Sequence, residues 1–113
     1  DQCFGIGPTV RGVLEAFESG AHSPGDPTAT TNGALMRVSP VGLAYCADAV
    51  KAIELSGESS RTTHKARESV DACRYMGSLL VGVVNGVRKD ELLSPFFFHG
   101  SSSEYWDVTP LSP

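Results

Sequence analysis

The sequence predicts an all-α fold, and three observations carry that expectation. Apolar residues recur three and four positions apart over several stretches, the spacing that lines one face of a helix. No segment alternates apolar and polar residues over a strand's length. Proline and glycine stand where helices would start and stop.

The first helix is expected over residues 8–19, where Val10, Val13, Leu14 and Phe17 share one face. Pro8 suits the first turn, where its missing N–H costs nothing, and Gly20 suits the left-handed residue after the last. Residues 21–31 hold two prolines and the Gly25-Asp26 pair and are too polar and too broken to form an element. A short helix over 33–38 then meets Pro40, which biases Ser39 away from helix. A further helix is expected over 40–56, with Leu43, Ala47, Val50 and Ile53 in the core and Gly57 closing it.

Residues 64–86 carry the strongest periodic signal. Ala66, Val70, Cys73, Gly77, Leu80 and Val84 form one stripe, and Ala72, Met76, Leu79 and Val83 form a second beside it. Arg67, Asp71, Arg74 and Ser78 make a polar strip opposite. So broad an apolar arc predicts burial on two or three sides. Thr62 or Thr63 offers an N-cap oxygen. A short helix over 89–93 is stopped by Pro95, and residues 96–113, with Phe96-Phe97-Phe98, read as an extended tail.

Composition bounds the function. The 113 residues suit a single small domain, in which about two-thirds of the unfolded surface can be buried. Nine Lys and Arg against thirteen Asp and Glu give a net charge of −4 without a basic cluster, which argues against direct nucleic-acid binding. No apolar run is long enough for a membrane span. Cys3, Cys46 and Cys73, odd in number and widely spaced, fit neither a disulfide framework nor a zinc knuckle, so a cytoplasmic location is expected. His22, His64 and His99 lie far apart, with no second ligand at metal spacing. Gly5-Ile6-Gly7 lacks the third glycine of a dinucleotide fingerprint. No catalytic residue and no metal ligand is assigned.

Two segments stand out. In Asn32-Gly33-Ala34-Leu35-Met36-Arg37-Val38-Ser39-Pro40, an Asn-Gly turn opens into a helix. Gly33 can take positive φ, and the free N–H groups of a first turn suit an anion. The same residues suit an ordinary loop-to-helix junction with Asn32 as N-cap. Ser60-Arg61-Thr62-Thr63-His64 precedes the long helix, and it too suits a plain capping turn with a partly exposed histidine.

Together these segments resemble the ADP-ribosylglycohydrolase family. The matching residues are Asn32, Gly33, Met36, Arg37 and Pro40, then Thr63 and His64, then Asp71-Ala72-Cys73-Arg74-Tyr75. Gly5-Ile6-Gly7-Pro8-Thr9 and Glu104-Tyr105-Trp106 are similar to family segments at equivalent places. One departure is Thr31, where such sequences usually carry glycine.

The resemblance implies a helical segment of an orthogonal helix bundle, a single partial domain within a longer hydrolase. Such enzymes remove ADP-ribose from modified side chains by glycosidic hydrolysis assisted by two Mg2+ ions. Their Gly-Asp, Thr-Asp-Asp and Asp-x-Asp carboxylate motifs have no counterpart here, since Gly25-Asp26 is followed by Pro27. What carries over is ligand positioning. Thr31, Asn32 and Gly33 correspond to the turn facing ADP-ribose, with N–H groups suited to the diphosphate, and His64 corresponds to a histidine at the cleft edge. Met36, as a buried side chain, and Arg37, as a paired one, are expected to serve structure, and Cys73 and Tyr75 the core. The isolated chain is expected to be inactive and to bind no ion itself. Its uncovered apolar surface is expected to drive self-association or pairing with a companion polypeptide. Two alternatives stay open: an inactive family remnant serving as a binding or structural module, and a plain helical interaction domain.

Overall fold

A computed structural model describes residues 5–22, 24–94 and 97. Among these the chain is helical: α1 (Pro8–Glu18), α2 (Gly33–Met36), α3 (Ser39–Ala44), α4 (Ala49–Arg61), α5 (Arg67–Val84) and α6 (Lys89–Leu92). The all-α fold read from the sequence is what is found. The tail over 96–113, apart from Phe97, lies outside the described residues. None of the helices described is long and apolar enough to cross a membrane.

Helix ends follow their local chemistry. Pro8 opens α1, and Gly20 closes it at φ +98°. The Gly20 N–H reaches the Phe17 carbonyl and the Ala21 N–H the Ala16 carbonyl, the paired bonds of a Schellman turn. Gly86, at φ +81°, ends α5 in the same way, through bonds from Gly86 to Val83 and from Val87 to Gly82.

The helix expected over 40–56 is in fact two. α3 ends at Ala44, and Asp48 caps a new helix by accepting from the Lys51 N–H at 3.1 Å. The break resets the helical phase, so the stripe drawn through one continuous helix fails. Ile53 is buried as expected, but Leu43, Ala47 and Val50 are exposed. Gly57 does not close α4, which runs on to Arg61; it is small because Arg74 crosses it, with Nε 2.8 Å from where a Cβ would sit.

The long helix also begins later than expected, at Arg67, because His64 joins a short bridge to Asp26. Its N-cap is Ala66, without a side-chain capping bond, and neither Thr62 nor Thr63 serves there. Half of the polar strip opposite the apolar stripes lies inside. Ser78 is fully buried, and Asp71 is buried with Arg74 at 3.2 Å and Arg67 at 3.5 Å. Met36, expected to be buried, is 77% exposed, while Val83 and Val84 also face outward.

The most extensive pairing is between α4 and α5, and it is built from small residues. Ala52, Ser56 and Ser60 of α4 are completely buried, and Gly77 of α5 lies directly against Ser56. A Cβ at Gly77 would sit 2.9 Å from the Ser56 Cβ and closer still to its hydroxyl. That hydroxyl is already committed to the Ala52 carbonyl at 2.6 Å, so it has nowhere to go. α2, through Ala34, and the junction before α3, through Val38, pack on the same pair against Cys73. Gly77→Ala is therefore expected to destabilise the fold by about 1–3 kcal/mol despite alanine's better helix propensity, read as a lowered Tm.

Candidate functional site

The site lies where the turn before α2 rests on the turn between α4 and α5. The second turn is shaped first. The His64 N–H donates to the Ser60 carbonyl at 2.7 Å, and the Ser60 hydroxyl returns a bond to the His64 carbonyl at 2.9 Å. The proline-broken segment then straps across it. The Asp26 N–H donates to the Thr63 carbonyl at 2.9 Å, and the Lys65 N–H to the Asp26 carbonyl at 2.8 Å. Gly25 is needed here because its Cα lies against the Arg61 carbonyl, leaving no space for a Cβ. The strap is tied to α5 as well, through the Ser69 hydroxyl and the Ala29 carbonyl at 2.9 Å.

These contacts place the His64 imidazole at 0% exposure beneath the Thr31-Asn32-Gly33 turn. Thr31 Oγ1 lies 2.9 Å from Nε2, and Thr63 Oγ1 lies 2.7 Å from Nδ1. A buried polar ring needs such partners, and here both nitrogens have one. Gly33 covers the ring, and its missing Cβ would fall 3.1 Å from Cε1. Close approach therefore explains this glycine. The positive φ that the Asn-Gly pair suggested is not used, since only Gly5, Gly20 and Gly86 adopt it among the described residues. Asn32 holds the N-cap position of α2 without a side-chain capping bond.

Arg37, read from the sequence as a paired side chain, is one. Its guanidinium donates to the Thr63 hydroxyl, to the Thr62 hydroxyl at 3.0 Å and to the Ser59 carbonyl at 3.0 Å. It thereby ties the end of α2 to the end of α4. Thr63, Ser60 and the Asp26 strap were not picked out as site residues from the sequence. The hydroxyl-rich run Ser59-Ser60-Arg61-Thr62-Thr63 was the available signal.

Burial lowers the His64 pKa from its ordinary value, and the nearby Arg37 charge lowers it further against a smaller opposing pull from Asp26. The ring is accordingly neutral at physiological pH. The Asp26 carboxyl is held below its usual value chiefly by the Thr28 backbone N–H and the Thr28 hydroxyl. Burial pushes the Cys73 thiol up, which makes it a core side chain rather than a nucleophile.

The turn opens on a pocket of about 140 Å³ lined by Thr30, Thr31, Asn32, Leu35, Glu68 and Ser69 among others. His64 reaches this pocket only through the Thr31 hydroxyl. The four residues singled out from the sequence are thus brought together, two lining the pocket and two forming its support. Ligand pockets usually run from ~300 Å³ upward, so this one is too small to enclose a whole drug-sized ligand. Among the described residues, no three His, Cys, Asp or Glu side chains come together to hold a metal ion. Asp26, the one acidic residue of a Gly-Asp pair, spends a carboxylate oxygen on Thr28. The donor set described here does not fit a metal centre.

Two consequences can be measured. Because the folded pKa of His64 is lowered, the folded state binds fewer protons than the unfolded one between the two pKa values. The neutral ring's contribution is complete above about pH 6.5, the unfolded value, and is lost as the pH falls through the lower folded value. Tm is expected to drop across that window, and His64→Gln to flatten the drop. Gly33→Ala is expected to cost about 1–3 kcal/mol, because His64 is held at both nitrogens and cannot yield. Thermal unfolding of the variant checks this.

The sequence profile of a family described as ADP-ribosylglycohydrolase matches residues 1–108. Among curated proteins, the chain is similar to ADP-ribosylarginine hydrolase Tri1 of Serratia proteamaculans (strain 568), with 31% identity over 97 residues. It is equally similar to ADP-ribosylarginine hydrolase Tri1 of Pseudomonas putida (strain GB-1), again 31% over 97 residues. Each alignment covers 83% of this chain and 26% of the relative, so the chain spans about a quarter of the length of the curated relatives it matches. No solved structure matches significantly.

Proposed function

The chain belongs to the ADP-ribosylglycohydrolase family, and on that premise we propose that it forms part of the ADP-ribose cleft of a hydrolase that removes ADP-ribose from modified side chains. Arginine is the side chain named by its two relatives, and it is the substrate we assign. The observation that carries this reading is the convergence of Thr31, Asn32, Gly33 and His64. Two segments 33 residues apart in sequence meet in one hydrogen-bonded turn that opens on a pocket. A rigid turn with exposed polar edges is what positioning a flexible, oxygen-rich ligand requires.

Within this reading Thr31 and Asn32 present polar groups to ADP-ribose. Gly33 lets the turn lie flat on His64, and His64 holds the turn from below. Metal assistance belongs to the family's chemistry, and no described residue of this chain is assigned to hold an ion. The reaction would cleave the bond between the ribose C1 and the arginine guanidine, with water supplying the new hydroxyl. This chain's part is to hold the nucleotide while that occurs.

The test is release of ADP-ribose from an ADP-ribosylarginine peptide by the protein that contains this chain, together with calorimetric binding of ADP-ribose. Turnover is expected, with Asn32→Ala weakening ADP-ribose binding about tenfold, the scale of one lost hydrogen bond to a charged ligand. Binding unaffected by changes at Thr31, Asn32 and Gly33 alike would place the ligand elsewhere.

A further inference from the structure

Among the described residues, one arrangement of protons gives both nitrogens of His64 and the Thr63 hydroxyl a partner. Arg37 is always charged and can only donate, so the Thr63 hydroxyl oxygen accepts from it. Thr63 is buried, at 7% exposure, and its own proton must find a partner inside the protein. The partner at hand is His64 Nδ1, 2.7 Å away. Were Nδ1 itself protonated, the Thr63 oxygen would accept from two donors and its own proton would have no acceptor among the described residues. A neutral imidazole with an accepting Nδ1 carries its proton on Nε2. That proton points to Thr31 Oγ1 at 2.9 Å. Thr31 then accepts from the ring, which leaves its own proton to be donated elsewhere, and Thr31 is one of the residues that line the pocket.

We propose that Arg37 and Thr63 are positioning residues that hold His64 in the Nε2–H form and so turn the Thr31 hydroxyl proton into the pocket, as a donor for a phosphate oxygen of ADP-ribose. The ligand half of this proposal rests on the function proposed above, while the proton arrangement does not. A glycine at position 31 could make no such bond. The hydroxyl is a single directed donor whose direction is set three residues away in a relay of guanidinium, hydroxyl and imidazole.

Imidazole 15N spectra of the ligand-free protein at neutral pH test the arrangement, with His64→Gln identifying the His64 signals against His22 and His99. The expected spectrum has a protonated Nε2 and an Nδ1 that is unprotonated but hydrogen-bonded. Thr63→Val is expected to move the Nδ1 resonance to that of a free pyridine-type nitrogen, and Thr63→Ser to restore it. An Nδ1–H ring, an imidazolium, or an Nδ1 resonance that ignores Thr63→Val would overturn the relay. Titration calorimetry with ADP-ribose tests the donor. Thr31→Ser should bind as the parent does and Thr31→Val about tenfold more weakly. Equal binding by parent and Thr31→Val would overturn the donor role. With the expected spectrum in hand, failure of the parent to bind ADP-ribose would overturn the ligand assignment and leave the relay standing.

Discussion

A fully buried imidazole, hydrogen-bonded at both nitrogens to threonine hydroxyls, is the constraint on which the rest of the site depends. Burying a polar ring costs free energy unless every polar atom is matched. Each neighbouring feature supplies part of that match. Ser60 pins the His64 backbone, Arg37 holds Thr63, and Thr31 closes the far side. Gly33 admits the ring under the chain, and Asp26 fastens the turn that carries it. The exposed turn is therefore defined from below, by contacts buried beneath it.

That arrangement needs a rigid base, and the α4–α5 pair provides one. Small residues at its contact let the two helices approach closely, with Gly77 on Ser56 and Gly57 under Arg74. Close-packed interiors resist small displacements. The turn linking the helices inherits this rigidity, which is why a histidine at its end can serve as a fixed support. Arg37 then ties α2 to the same base. Arg37 and His64 thus join the Thr31-Asn32-Gly33 turn and the helix hairpin into one hydrogen-bonded unit.

Much of this was legible in the sequence, and the exceptions share causes. α1 was readable because Pro8 and Gly20 mark its ends. The Asn32-Gly33 and Thr63-His64 segments were recognisable as a pair through their resemblance to the ADP-ribosylglycohydrolase family. The split of residues 40–56 was missed because the periodicity of Leu43, Ala47 and Val50 outweighed the capping chemistry of Asp48, a single residue with a clear preference. Gly57 was read as a terminator because a glycine needed for a close helix crossing looks the same in sequence as one needed for a turn. Asp71 and Ser78 belong to the polar strip of α5, and their burial is not legible there because periodicity reports which residues are apolar, not which polar residues find partners inside. The hydroxyl relay was invisible for a related reason: Thr31 and Thr63 come together only through the fold.

The central claim is that the contacts beneath the turn, and not the turn's own sequence, fix its shape. Amide hydrogen exchange in Arg37→Met tests it most directly, because that side chain bonds to the end of α4 and touches none of the pocket. Faster exchange is expected across residues 31–38 and 62–66, with the buried α4–α5 contact around Ser56 and Gly77 as protected as before. Unchanged exchange in both segments would contradict it, and would mean that the turn holds its conformation without the buried network.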